Sequence, residues 1–317
     1  MRADQLYVVT AISNPMLWKS RIALYQAFEQ HMLASGVKLT TVECTYGDMD
    51  PEISINPQVN HVRVRASGLH KAWIKECLLN KGVQANPDAK YFAFLDADIT
   101  FRSPHWPQDT LHALQHFPVI QPWTTAYDLG PNGEHVKTET SFASVVYHKG
   151  PGAIRQGPGA PKLTYDDIRY KHTGYAWAFT RQALEYCGGL YEHAVLGSAD
   201  HHMALAMIGH VEWSIPNWLQ GAYRAELLQW QTLMFPHVRS RLGALPGTIE
   251  HAWHGDKKNR KYVDRWQILQ RNNFDPSTDL KKNTWGVIEL AGNKPQLAHD
   301  IDAYFRAREE DSNTMSA

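Results

Sequence analysis

"KYFAFLDAD" (residues 90–98) is the stretch whose reading decides the fold. An apolar and aromatic run ends in two aspartates one residue apart. A nearly unbroken apolar run of this length is the pattern of a strand buried on both faces, as in a parallel sheet covered by helices. On a strand alternate side chains share a face, so Asp96 and Asp98 point the same way while Ala97 turns back. Carboxylates at the carboxyl end of such a strand lie where open α/β sheets bind ligands. Two like charges this close repel, and a divalent cation relieves the repulsion. The plain alternative is a strand end carrying two solvated acids.

Working outward, the same two-element alternation recurs on the amino-terminal side. "LYVVTAI" (6–12) reads as a buried strand, followed by Asn14 as a helix cap and Pro15 at the first helical position. Trp18, Ile22, Tyr25 and Met32 recur at helical spacing, and Gly36 is a natural stop. "VKLTTVEC" (37–44) and "NHVRVRA" (60–66) are strand-like, and "LHKAWIKECLLNKG" (69–82) predicts a helix closed by its glycine. Strands alternating with helices predict an α/β fold with a mixed, mostly parallel sheet flanked by helices.

The chain has 317 residues, enough to bury a sizeable core, and its composition is that of a globular protein. Lys+Arg and Asp+Glu balance at 32 each, so no global positive field advertises nucleic acid. Three scattered cysteines without metal-ligand spacing predict core thiols in a reducing compartment. No run has the roughly eighteen apolar residues of a membrane span. The first fifteen residues carry too short an apolar stretch for a signal peptide. These readings predict a cytoplasmic protein with no membrane anchor.

Further along, "HKGPGAIRQGPGAPK" (148–162) is an acid-free Gly/Pro-rich loop, read as a lid or a surface insertion. "REEDSNTMSA" (308–317) reads as a disordered tail after a helical extension over 276–317. Two rival readings of the aspartate pair are weighed first. A helix–loop–helix calcium site needs Gly at its sixth position, and Phe101 stands there instead. The haloacid-dehalogenase phosphatases carry D-x-D-x-T after an apolar strand, which "FLDADIT" fits. In them, however, the motif normally ends the first strand, and here about 90 residues of α/β pattern precede it.

Three later segments, taken in order with "FLDADIT", resemble the GT-A glycosyltransferases over roughly residues 5–265. "GYAWAFTRQALEYCGGLYE" (174–192) is similar to the segment that opens the acceptor pocket with a small residue. "GSADHHMAL" (197–205) is similar to the segment carrying the catalytic base of inverting members. "HAWHGDKKN" (251–259) resembles the metal-and-diphosphate segment of β-galactosyltransferases. The usual acidic pair of the third segment is Ala199–Asp200 here, which leaves Asp200 alone as base. One residue fewer than in the galactosyltransferases separates His254 from Asp256, so the ligand choice between His251 and His254 stays open.

The resemblance implies one large Rossmann-like GT-A domain over 1–275, with a nucleotide-binding half over about 1–105 and an acceptor-binding half over about 106–275. It implies metal-dependent transfer of a sugar from a nucleotide-sugar, a UDP-sugar by preference, to a hydroxyl acceptor. Asp98 with His251 and His254 would bind Mn²⁺ (or Mg²⁺), the imidazoles favouring Mn²⁺. Asp96 would contact the ribose or the ion through water, Glu43 the nucleoside, and Lys71, Lys257, Lys258 and Arg260 the phosphates. Gly174, Trp177 and His201 would face the acceptor. The bland readings are a core tryptophan for Trp177, a helix cap for Asp200 and a solvated basic turn for 257–261.

For the acceptor, "FLDADITF", "ALQHFPVIQPW" (113–123) and "HAWHGDKKNRKY" (251–262) look like soluble phage and environmental transferases. That likeness implies a hydroxymethylated pyrimidine in phage-type DNA, with loop 148–162 and "HVRSR" (237–241) on phosphates. A cell-surface or small-molecule glycan is the rival acceptor. Other classes are a phosphohydrolase using Asp96 and Asp98, or a non-catalytic sugar-binding protein.

Overall fold

A computed structural model of the protein describes residues 4–69, 71–154, 172–239, 241–262 and 264–312. Its first unit follows the apolar runs. Strands β1 (Leu6–Ser13), β2 (Lys38–Tyr46), β3 (Asn60–Ala66) and β4 (Tyr91–Leu95) pair in parallel, β1 lying between β2 and β4. Helices α1 (Lys19–Ala34) and α2 (Lys75–Gln84) make two of the crossovers. Alternation along β1 sends Val8 to one face and Val9 to the other, and each face is buried in its own hydrophobic cluster. The covered-sheet expectation is therefore met.

After β4 the chain turns through the two aspartates into β5 (Ile99–Phe101), then α3 (Trp106–Leu114), β6 (Val119–Gln121), β7 (Thr125–Leu129), β8 (His135–Thr140) and α4 (Phe142–Lys149). Beyond the undescribed stretch come β9 (Ala176–Thr180), α5 (Arg181–Cys187), α6 (Ala199–Met207), α7 (Gly221–Val238), β10 (Leu242–Ala244) and β11 (Thr248–His251). Strand β9 inserts antiparallel between β4 and β6, and β10 closes the far edge in parallel with β6. Among the described residues this gives a seven-stranded sheet in the order β10-β6-β9-β4-β1-β2-β3 and a smaller sheet in the order β5-β11-β7-β8. The large sheet is mixed and mostly parallel, as the strand pattern predicts.

Several local readings need correction. Helix α1 starts at Lys19, not beside Asn14: the Asn14 side chain instead closes the preceding turn, accepting from Trp18 N at 3.0 Å and donating to Trp18 O at 3.0 Å. The α1 amides of Lys19 and Ser20 donate to the carboxylate of Asp311, at 3.0 and 2.8 Å. Helix α2 begins only at Lys75, leaving Lys71 on the approach to it. The 276–312 region is more than a helix and a loose tail. It holds α8 (Trp266–Arg271) at its approach, α9 (Pro276–Asp279), a ribbon of β12 (Leu280–Lys282) with β13 (Ile288–Leu290), and α10 (Pro295–Arg306). Leu290, Leu297, Ile301 and Phe305 join the same core as Val9 and Phe92. Residues 308–312 are packed, with Arg308 and Glu310 buried; most of the loop read over 148–162 and residues 313–317 lie outside the described residues.

The glycine read as the end of α2 has another purpose. Gly82 lies inside the helix where it crosses the sheet, and a Cβ there would stand 2.2 Å from Val9 Cγ1 and 3.2 Å from Val42 Cγ2. Overpacking costs about 1–3 kcal/mol, more than the roughly 1 kcal/mol by which alanine outranks glycine inside a helix. Gly82→Ala is expected to lower the urea midpoint at an unchanged m-value.

Candidate active site

The carboxyl ends of β1 and β4 open into a cleft of about 420 Å³, lined by Ser13, Lys75, Asp96, Asp98, Gly174, Asp200, His251, His254 and Arg260 among others. Strand pairing brings the first cluster together. β5 pairs antiparallel with β11, setting His251 opposite Ile99, and Ala252 N donates to Asp98 O at 2.9 Å. His251 thus arrives beside Asp98 through backbone register. His254 follows one short turn later, ahead of a 3₁₀ turn over Lys257–Arg260.

His254 Nε2 lies 3.0 Å and His251 Nε2 3.7 Å from Asp98 Oδ2. One ligand atom from each of the three side chains falls within 4.8 Å of the others. Both histidines meet the aspartate. Asp98 Oδ1 is buried with no hydrogen-bond partner among the described residues. Arg260 Nη2 lies 2.8 Å from His254 Nε2 and 3.5 Å from its Nδ1. One carboxylate with two imidazoles is a donor set that suits Mn²⁺ better than Mg²⁺.

Burial pushes the Asp98 carboxyl up, but His251, His254 and Arg260 outweigh it and hold it well below the usual carboxylate range. Burial lowers His251 from its ordinary value against the pull of Asp98, favouring the neutral imidazole that a metal ligand must be. Behind His251 stands a carboxylate the sequence reading missed. The β7–β11 register sets Asp128 opposite His251, and Asp128 Oδ1 accepts from His251 Nδ1 at 3.0 Å. Asp128 also accepts from Tyr175 Oη at 2.6 Å and from the Lys257 ammonium. A carboxylate behind a histidine fixes the ring's tautomer and orientation.

The other predicted residues divide. Asp96 faces the cleft paired with Lys75, Nζ to Oδ1 at 2.6 Å. Burial opposes the Lys75 charge, yet Asp96, Glu76 and Asp200 together raise its pKa and keep it an ammonium. Lys75 therefore occupies the cleft, whereas Lys71 pairs with Asp302 at 3.1 Å, away from the cleft lining. Lys257 pairs with Asp128, Lys258 is exposed, and Arg260 alone of the basic run lines the cleft. Glu43 is buried, accepts from the amides of Glu52 (2.6 Å) and Ile53 (3.0 Å), and contributes nothing to the cleft lining. Trp177 is a core side chain, with Nε1 donating to Thr173 O at 2.6 Å.

Asp200 sits in the first turn of α6, but the cap position belongs to Ser198, whose φ of 79° is left-handed. Its carboxylate accepts from Thr173 Oγ1 at 3.3 Å and lines the cleft. Gly174 is next to it: a Cβ there would stand 3.1 Å from Asp200 Oδ2 and 3.0 Å from the His172 ring. His201 also lines the cleft, and burial pushes it down to about 4. His172, which the sequence did not single out, stacks on Tyr175 with ring centroids 3.8 Å apart. Burial, then the Lys257 charge, push it down to about 3. Both are neutral imidazoles at pH 7. Arg21, Arg265, Arg308 and Glu310 complete the lining and were also missed.

No protein-family model and no curated protein matches the chain. Several solved structures resemble it at low identity. One is S. aureus TarS in complex with UDP-GlcNAc, at 9% identity and a TM-score of 0.41, covering 96% of this chain and 81% of that one. Another is glucosyl-3-phosphoglycerate synthase from Mycobacterium tuberculosis in complex with Mn²⁺, UDP and glucosyl-3-phosphoglycerate, at 11%, 0.41, 85% and 77%. A third is a Drosophila β1,4-galactosyltransferase 7 mutant in complex with manganese, UDP-Gal and xylobiose, at 13% and 0.32. There the match spans 63% of this chain and only 60% of the other. Likenesses this distant carry no weight for fold or activity.

Glu76 adds a measurable consequence at the cleft wall. It is buried, and burial lifts its carboxyl to about 7. Between the unfolded value near 4.3 and 7, the folded state binds the extra proton, so this group's contribution to stability falls as pH rises through that window. Glu76→Gln is expected to match wild type near pH 4 and to exceed it by up to about 3 kcal/mol at pH 8. Urea unfolding at the two pH values reads the difference.

Proposed function

We propose that the protein is a metal-dependent glycosyltransferase that moves a sugar from a nucleotide-sugar, a UDP-sugar by preference, to a hydroxyl acceptor. The observation that carries this reading is the cluster of Asp98, His251 and His254 opening on one cleft with Asp200 at its wall. Asp98, His251 and His254 would hold a divalent ion, Mn²⁺ by donor chemistry. When bound, that ion supplies positive charge for the departing nucleoside diphosphate. The chain's own contributions are then positional and electrostatic. Lys75 and Arg260 present fixed positive charge along the cleft, and Lys75 orients Asp96.

Asp200 accepts the proton of the acceptor hydroxyl as that oxygen attacks the anomeric carbon, an arrangement that inverts configuration. Gly174 keeps the approach to Asp200 open, since any side chain there meets the aspartate and His172. His201 and His172, neutral at pH 7, leave Asp200 as the anionic group on this wall. Nothing favours a phosphohydrolase: Asp96 is paired with an ammonium and Asp98 is enclosed by two histidines, which suits neither to attack as a nucleophile.

The acceptor is proposed only as a hydroxyl compound. A hydroxymethylated pyrimidine in DNA gains no support, because, among the described residues, His237, Arg239 and Arg241 are absent from the cleft lining. The loop read as its partner falls largely outside the described residues.

Release of UDP from UDP-sugars, followed with and without Mn²⁺, tests the reading. Wild type is expected to turn over only with the metal, and Asp98→Ala to lose Mn²⁺-dependent turnover. Asp200→Asn is expected to lose about 10²–10⁴-fold in kcat of transfer with little change in donor KM. Metal-independent phosphatase activity that needs Asp96 would sink the proposal.

A further inference from the structure

Residues 308–312, a polar stretch that reads as solvated, cross the cleft and are tied down on both sides. Asp311 caps α1 through the Lys19 and Ser20 amides, and Ser20 Oγ donates to Glu310 O at 3.1 Å. On the other side Trp253 Nε1 donates to Ser312 O at 2.7 Å. Gly255 makes room for the crossing: a Cβ on it would stand 2.9 Å from both Glu309 O and Glu310 Cα. The segment thus threads between α1 and the 251–262 turn.

This threading delivers a buried carboxylate to the histidine cluster. Glu310 Oε2 accepts from Arg21 Nε at 2.6 Å, and Oε1 from Arg21 Nη2 at 3.0 Å and Arg308 Nη2 at 2.6 Å. Two guanidiniums, those of Arg21 and Arg308, answer its charge. Oε2 also lies 3.7 Å from His254 Nδ1. Arg260 Nη2 lies 2.8 Å from Nε2 and 3.5 Å from Nδ1 of the same ring. The Glu310 carboxylate thus stands on the Nδ1 side of a ring whose Nε2 faces Asp98 at 3.0 Å. The arrangement repeats at longer range what Asp128 does for His251 at 3.0 Å.

We propose that Glu310 is a positioning residue for the metal centre: delivered by the 308–312 crossing and clamped by Arg21 and Arg308, it holds the orientation of His254. This rests on Asp98, His251 and His254 binding a divalent ion; it does not depend on which sugar or acceptor is used. Losing such an outer carboxylate weakens metal affinity about 10–100-fold.

Free Mn²⁺ measured by electron paramagnetic resonance in titrations of wild type and Glu310→Gln tests it, with thermal unfolding of both metal-free proteins as the folding control. The expected result is Mn²⁺ dissociation at least tenfold weaker in Glu310→Gln. Equal Mn²⁺ affinity in a folded Glu310→Gln overturns the proposal. If that variant does not fold, Glu310→Asp keeps the charge and withdraws it by one methylene; it should weaken Mn²⁺ binding, and unchanged affinity there is equally fatal. A wild type that binds no Mn²⁺ removes the metal reading and this proposal together.

Discussion

Burying a carboxylate at the end of a strand is costly unless neighbouring groups answer its charge. Asp98 is in that position, and its surroundings are explained by it. Two histidines converge on one of its oxygens while the other has no hydrogen-bond partner among the described residues. The second sheet exists at this point of the fold to deliver them: β11 hydrogen-bonds to β5 on one side and to β7 on the other. The first pairing brings His251 to Asp98 and the second brings Asp128 to His251. One strand register therefore sets a ligand and its outer partner at once, and a one-residue slip would turn His251 to the opposite face.

The rest of the cleft obeys the same economy of charge. Asp96 is answered by Lys75, Asp128 by Lys257, and Glu310 by Arg21 and Arg308. Asp200 is different. It has a weak hydroxyl donor and the Lys75 charge nearby, and it is the acid at the wall least tied to a fixed partner. A base that must take a proton benefits from being ionised and uncommitted, whereas ligands and their supports benefit from being locked.

The strands and the meeting of Asp98 with His251 and His254 were legible because their signals are local. Apolar runs give strands, and histidines three apart after a D-x-D give a candidate ligand set. What failed was everything decided at long range. Lys71 and Lys75 lie on one short stretch, and only the late start of α2 puts Lys75 rather than Lys71 into the cleft. Glu43 looked like a cleft acid at a strand end, but β3 sets Arg63 across from it and the amides of the following loop bond its Oε1. Asp128 sits in an ordinary alternating strand and gains meaning only from β11, more than a hundred residues on. Glu310 was hidden by its composition, since a Glu- and Arg-rich stretch reads as solvated until its partners are known.

That separation along the chain has a temporal side. Asp98 and Glu310 are 212 residues apart (310 − 98), and chains are synthesised at about 5–20 residues per second. The nascent protein therefore spends on the order of 10–40 s with its aspartates made and the carboxylate that braces His254 still unmade. The amino-terminal strands, whose pairings β1–β2 and β2–β3 are near neighbours in sequence, can assemble in that interval. The α1 amino terminus and the guanidinium of Arg21 wait for their acidic partners until Glu310 and Asp311 emerge.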